Sequence, residues 1–359
     1  MPFINEVLEA NEAQIKQARE AQSVATTSRF LFDPDQVFET LSKRIVGQPE
    51  ALAALHDMLH VVKANFSEPA RPLSVQLFIG STGVGKTEAV RVLAESVLGN
   101  PDELCRIDMN TLAQEHYSAA LIGAPPGYVG SKENHTLFNF DKVEGSYSRP
   151  GVVLLDELEK ADDAVVRALL NVFDTGSLTL SAGTKSINFR NAMVFMTSNI
   201  GARELAAYRQ SFTLGWRKLL GLSPDKSQET KILRTALEGR FDPEFINRID
   251  QVVYFNELNV EWLDSLLQIE LSELNKRLSK RGVSLTMSPA AQYYVLKLYD
   301  SRYGARDLKR SLRRVLEPAL ARAINQFPTA TEFTATYENQ SLAILPHQAP
   351  AWEAVPAKD

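Results

Sequence analysis

The chain has 359 residues, 44% of them hydrophobic, a formal net charge of -5 and a single cysteine. That length and apolar content suit about two domains with real cores and exclude a disordered or fibrous chain. No run nears the roughly 18 apolar residues a membrane helix needs, the polar, acidic start is no export leader, and one cysteine forbids an internal disulfide and suits a reducing cytoplasm. The negative charge argues against a nucleic-acid surface. Five histidines and one cysteine, with no close metal-ligand spacing, argue against a zinc site or a Cys-His catalytic pair.

Ile4, Val7, Leu8 and Ile15 fit one face of an opening helix, and a polar stretch at 22–29 separates it from the body. From 35 to about 255, strand-like and helical runs alternate. The runs 75–79, 105–109, 152–156 and 192–198 are short, apolar and rich in branched residues, as strands covered on both faces should be. A helix over 162–173, capped by Asp162, lies between two of them. Such alternation predicts a mostly parallel sheet flanked by helices. After about 256 the pattern turns helical: leucines recur over 260–278, Ser288-Pro289 reads as a cap and first turn, and 307–324 reads as one basic amphipathic helix. The runs 333–337 and 342–345 form a late pair of strands before a Pro- and Ala-rich tail. The expected division is an N-terminal helical extension at 1–34, a large α/β nucleotide domain at 35–255, a smaller, mainly helical domain with a short β pair at 256–346, and a mobile tail at 347–359.

The octet Gly80-Ser81-Thr82-Gly83-Val84-Gly85-Lys86-Thr87 matches the phosphate-loop pattern G-x-x-x-x-G-K-[ST] between a strand at 73–79 and a helix carrying Val90, Leu93, Ala94, Val97 and Leu98. Glycines let backbone N–H groups close around phosphates, the helix N-terminus faces them, Lys86 reaches the outer phosphates and Thr87 can ligate magnesium. Gly99 and Pro101 end that helix. Hydrolysis also needs a carboxylate for the metal and a group to orient water. Val152-Val153-Leu154-Leu155-Asp156-Glu157 offers both at a strand end, Asp156 for magnesium and Glu157 for the water. Met196-Thr197-Ser198-Asn199 ends a neighbouring strand, where Asn199 can bond the terminal phosphate or the water. Arg248 and Arg306 are the arginines available against developing phosphate charge, or else plain surface ion pairs.

These stretches, with Gly123-Ala124-Pro125-Pro126-Gly127-Tyr128-Val129-Gly130, Asp156-Glu157-Leu158-Glu159-Lys160, Pro243-Glu244-Phe245-Ile246-Asn247-Arg248-Ile249-Asp250 and Gly304-Ala305-Arg306, resemble the second ATPase module of the Clp family of AAA+ protein unfoldases over about 41–345. The resemblance implies a P-loop NTPase fold with ATP and magnesium as cofactors. It also implies that Val46, Gly47 and Gln48 contact adenine, that Arg248 is an arginine finger acting on a neighbouring subunit, and that Arg306 senses nucleotide in its own. A finger acting in trans implies a ring, expected to be a homo-hexamer. Gly127, Tyr128, Val129 and Gly130 would form a channel loop gripping unfolded or tagged polypeptides.

The chain departs from the family in places. Ser131-Lys132-Glu133-Asn134-His135 stands where an acidic, glycine-rich stretch usually follows, and the expected second channel loop at 179–185 lacks the usual Asp-Gly start. No first ATPase module, receiving N-domain or coiled-coil insert is present, which argues against a stand-alone two-ring disaggregase. Leu214-Gly215-Trp216 and Leu220-Gly221-Leu222 fall where proteolytic members dock a Clp-type peptidase, but such tripeptides are common, Trp216 is not the usual third residue, and helix-end packing accounts for either. The opening helix either docks an adaptor or braces the ring. The leading expectation is a cytoplasmic, ring-forming protein unfoldase. The alternatives are an AAA+ ATPase remodelling nucleic-acid complexes and an ATP-switched assembly factor.

Overall fold

The computed structural model describes residues 28–113, 137–180, 186–213, 224–300, 304–338 and 341–346. The opening helix, the first channel loop with Gly127, Tyr128, Val129 and Gly130, residues 181–185 of the second, both candidate docking tripeptides and the tail lie outside the described residues.

Five parallel strands make the central sheet: β1 (Ser74–Ile79), β2 (Cys105–Asp108), β3 (Gly151–Asp156), β6 (Ala192–Ser198) and β7 (Gln251–Tyr254), in the order β2-β3-β6-β1-β7. β4 (Ser177–Thr179) and β5 (Ser186–Asn188) form a separate antiparallel pair. β1, β3 and β6 are buried along their whole length, so apolar side chains on both faces must be covered by helices. Because side chains alternate across a strand, successive residues enter opposite cores. Val75, Leu77 and Ile79 join Val153, Leu155, Val194 and Met196 under the helix Asp163–Thr175. Phe78, Val152, Leu154, Met193 and Phe195 pack on the other face. There they meet α1 (Pro34–Arg44), α2 (Pro49–Ala64) and α3 (Lys86–Leu98).

The caps agree with the sequence. The Asp162 side chain accepts from the N–H of Ala164, Gly99 closes α3 in the left-handed region, and Ser288 caps the helix opened by Pro289.

A third core, around Leu267, Leu285, Val295, Leu308, Leu316 and Phe333, belongs to the C-terminal part. Two features there differ from expectation. The late strands β9 (Glu332–Glu338) and β10 (Ser341–Pro346) do pair, but β8 (Ser284–Met287) adds a third strand, parallel to β9. The single basic helix is instead three pieces, Ala305–Ser311, a π segment Leu312–Leu316 and Glu317–Gln326. Pro318 has no N–H for the carbonyl of Arg314 and its ring crowds that carbonyl, which widens the preceding turn.

Candidate functional site

The carboxyl ends of the parallel strands set the site. β1 has two neighbours, β6 and β7, that both come later in the chain, and such a reversal of strand order opens a crevice at the strand ends. The phosphate loop leaves β1 there. Gly83 (φ 81°) and Gly85 (φ 105°) take left-handed conformations that a side chain disfavours. A Cβ on Gly80 would lie 2.7 Å from the carbonyl oxygen of Phe255, so the loop sits directly against the chain leaving β7.

The loop and strand ends bound a cavity of about 520 Å³ lined by Thr82, Gly83, Val84, Gly85, Lys86, Thr87, Asp156, Glu157, Thr197 and Asn199 among others. The Lys86 ammonium donates to the carbonyls of Gly80 (2.5 Å) and Ser81 (2.9 Å) and to Asn199 Oδ1 (2.9 Å). Burial lowers its pKa to about 8, against the pull of Glu159, Asp156 and Glu157. A buried cation held only by neutral oxygens is poised to exchange them for anionic phosphate oxygens.

Parallel register aligns the acids. Leu155 pairs with Met196, so Asp156 and Thr197 emerge side by side. The Thr197 hydroxyl donates to Asp156 Oδ1 (2.5 Å) and accepts from the backbone N–H of Glu157 (3.0 Å). Glu157 sits at φ 59°, one of two non-glycine residues with positive φ among the described residues. Left-handed backbone at a carboxylate in a cleft is strain of the kind that collects at functional sites. Thr87 Oγ1 is 3.0 Å from Asp156 Oδ1. A hydroxyl and a carboxylate in contact are hard oxygen donors, the set magnesium takes, so these residues fit that ion.

Asn199 also contacts Glu159 Oε1 through its side-chain amide (3.3 Å). Two groups that the sequence did not single out join the cluster. Thr197 bridges both acids, and Arg106 of β2 reaches Asp156 Oδ2 at 2.7 Å. Arg106 leaves β2, an edge strand whose burial alternates, with Cys105 and Ile107 inside and Arg106 and Asp108 exposed, so it is not covered on both faces as the sequence suggested.

Arg306 lines the same cavity from the C-terminal part. It is held there by a backbone contact: the N–H of Ala305 donates to the carbonyl of Gly83 at 2.8 Å. Gly304 makes this possible. Its backbone (φ 57°, ψ −151°) is open essentially to glycine alone, and a Cβ would lie 2.6 Å from Gly83 O.

Of the adenine candidates, Val46 lines the cavity beside Ile45, Leu258, Leu266 and Ile269. Gln48 is 1% exposed and its amide braces backbone instead, donating to Val84 O (3.2 Å) and Asn256 O (2.9 Å) while accepting from Asn256 N–H (2.7 Å). Gly47 (φ 73°) leaves room for the Trp262 ring, 3.1 Å from where its Cβ would stand. Arg248 is the one arginine of the set that the fold keeps away. It is not among the residues lining the cavity, its side chain is 43% exposed, and it pairs with Asp174.

Comparison with known proteins places this arrangement. The family model described as AAA domain (Cdc48 subfamily) matches residues 71–252, and that of the C-terminal, D2-small domain of ClpB protein matches 258–332. An "ATP-dependent protease ATP-binding subunit-like protein AmiB" of Pseudomonas aeruginosa is 44% identical over 340 residues, 89% of this chain and 92% of the relative. An "ATP-dependent protease ATP-binding subunit-like protein" of Rhodococcus erythropolis is 41% identical, with 90% and 92% covered. "Chaperone protein ClpB 1" of Synechococcus elongatus is 37% identical over 311 residues, 85% of this chain and 33% of the relative. The chain therefore spans about a third of that longer chaperone.

Proposed function

The chain belongs to the AAA domain (Cdc48 subfamily) family, with a ClpB-type D2-small domain, and is a Clp-type AAA+ ATPase; from that premise we propose that it assembles into a ring, expected to be a hexamer, and unfolds or remodels polypeptides by drawing them through a central channel.

In this reading Lys86 trades the carbonyls of Gly80 and Ser81 for phosphate oxygens, and adenine lies against the apolar wall that includes Val46. Glu157 takes the proton of the attacking water, and Asn199, tethered to both Lys86 and Glu159, orients that water or the terminal phosphate. Thr197 keeps the backbone of Glu157 and the carboxylate of Asp156 in one register. Magnesium, held through Thr87 and Asp156, neutralises charge on the outer phosphates when bound. Arg306 reports nucleotide to the C-terminal domain through the Gly304-Ala305 contact. Rigid-body motion of that domain then moves the channel loop, where Tyr128 grips substrate by apolar contact.

The observation that carries the ring is the exclusion of Arg248 from its own cavity. In the single chain Arg248 pairs with Asp174; used against phosphate charge, it would serve a neighbour's site rather than its own. The names of the relatives, chaperones and protease ATP-binding subunits, support polypeptide substrates and a Clp-type peptidase or an adaptor as partners. Among the described residues no helix is long and apolar enough to cross a membrane. The test is Glu157→Gln with saturating ATP, scored for particle size and bound polypeptide. Stable rings that retain unfolded protein are expected; a variant that binds ATP and stays monomeric overturns the ring.

A further inference from the structure

α1 and α2 bring together three side chains that take no part in the nucleotide site. His56 and His60 stand four residues apart on α2, so their rings share one face, and Asp35 crosses to them from the first turn of α1. His56 Nε2 lies 2.8 Å from Asp35 Oδ1 and 3.1 Å from His60 Nε2. His60 Nε2 is 3.7 Å from the same carboxylate oxygen. All three donor atoms therefore lie within 3.7 Å of one another. Phe38 stacks on His56 (4.5 Å, 27°) and the two imidazoles meet edge to face at 4.5 Å, which limits their rotation.

A tetrahedral ion with bonds of about 2.0–2.1 Å holds its donors roughly 3.3–3.4 Å apart. The three separations bracket that spacing. Two imidazole nitrogens this close repel unless one carries a proton or both lone pairs point at a cation. With only one oxygen in the set, the chemistry suits a borderline ion rather than magnesium or calcium, which take oxygen ligands. We propose that Asp35, His56 and His60 bind a divalent transition cation of the zinc type, with the remaining position open to water. The site is accessible, since the side chain of Asp35 is 75% exposed and that of His60 is 52% exposed.

Such an ion would clamp α1 to α2 on either side of residues 45–48. Val46 of that segment lines the nucleotide cavity, and Arg44 at the end of α1 bonds Glu95 of α3 at 2.6 Å. The clamp would stiffen one wall of the cavity without contributing to its chemistry.

The test uses tag-free, full-length protein stripped with EDTA and titrated calorimetrically with zinc chloride in the absence of nucleotide, alongside thermal melts with and without the ion. One zinc per chain and a rise in Tm are expected. His60→Gln and Asp35→Asn should each weaken binding at least about tenfold and abolish the rise, whereas Thr87→Ala, at the magnesium position, should leave the titration unchanged. Melts without zinc show whether each variant is folded. Absence of saturable uptake by the wild type, uptake indifferent to both ligand variants, or uptake lost in Thr87→Ala overturns the site.

Discussion

Gly304→Ala probes whether the C-terminal domain completes the ATPase site. Glycine is required there twice over, by a backbone conformation at φ 57° and ψ −151° and by the carbonyl of Gly83 that would lie 2.6 Å from a Cβ. Holding alanine in that conformation costs about 1–3 kcal/mol. Moving it away instead gives up the Ala305 N–H bond to Gly83 O, ~1 kcal/mol. By either route the docked arrangement is disfavoured by about 1–3 kcal/mol, at 1.4 kcal/mol per factor of ten in the docking equilibrium. Each part keeps its own core, so the chain should stay folded while Arg306 leaves the cavity, and kcat/KM for ATP should fall at least about fivefold. Gly282→Ala is the control. It shares the left-handed φ (68°) but has nothing within 4 Å of the added Cβ. It should lose about 1 kcal/mol of stability and none of its ATPase activity. Steady-state hydrolysis with a parallel melt separates the two variants. Wild-type kcat/KM in a folded Gly304→Ala protein would refute the coupling through Gly304.

Two further outcomes follow from the cavity. Burial sets the Lys86 pKa at about 8 in the free protein, so the cationic form that binds phosphate is lost as pH rises through that value. Affinity for a fluorescent ATP analogue should fall about tenfold between pH 7 and pH 9. Between about 8 and the ordinary lysine value of 10.5 the unfolded chain holds a proton that the folded chain lacks, so the Lys86 contribution to stability rises with pH over that window; flat affinity to pH 9.5 would contradict the assignment. Thr197→Val keeps the side-chain shape but deletes the hydroxyl between Asp156 and Glu157. It should cut kcat by about 10–100-fold while ATP affinity stays within about threefold, measured by hydrolysis and by equilibrium binding; equal losses in both would mean that Thr197 only supports the loop.

The parts of the site carried by one continuous stretch were legible in the sequence. The phosphate loop, Asp156-Glu157 and Asn199 each sit where a strand ends, and strand ends are marked by the apolar run before them. The bonds between stretches were not. The Thr197 bridge follows from the Leu155–Met196 register, which only strand pairing sets. The Gly304 contact joins residues 221 apart in the chain. β8 has four residues and two inward side chains, Leu285 and Met287, too short a pattern to separate from a loop. Gln48 shows the converse: its place in a familiar stretch suggested a base contact, whereas its amide is occupied with the backbone of Val84 and Asn256. Contrary to the expectation of no close metal-ligand spacing, His56 and His60 lie four residues apart on one helix face, and the group that joins them, Asp35, comes from another helix.

The central claim is that the site is finished by a neighbouring subunit, and mixing two inactive variants tests it most directly. Lys86→Ala lacks a working loop but keeps Arg248; Arg248→Ala keeps the loop but lacks the finger. Neither should hydrolyse ATP appreciably alone, an arginine finger being worth roughly 10³ to 10⁵ in rate. Mixed at equal concentration in a ring, an intact loop meets an intact finger at about a quarter of the sites. Recovery of activity toward that fraction of the wild-type rate is expected. A mixture that co-assembles, as shown by differently labelled chains in one particle, yet stays as inactive as its parents would contradict action in trans.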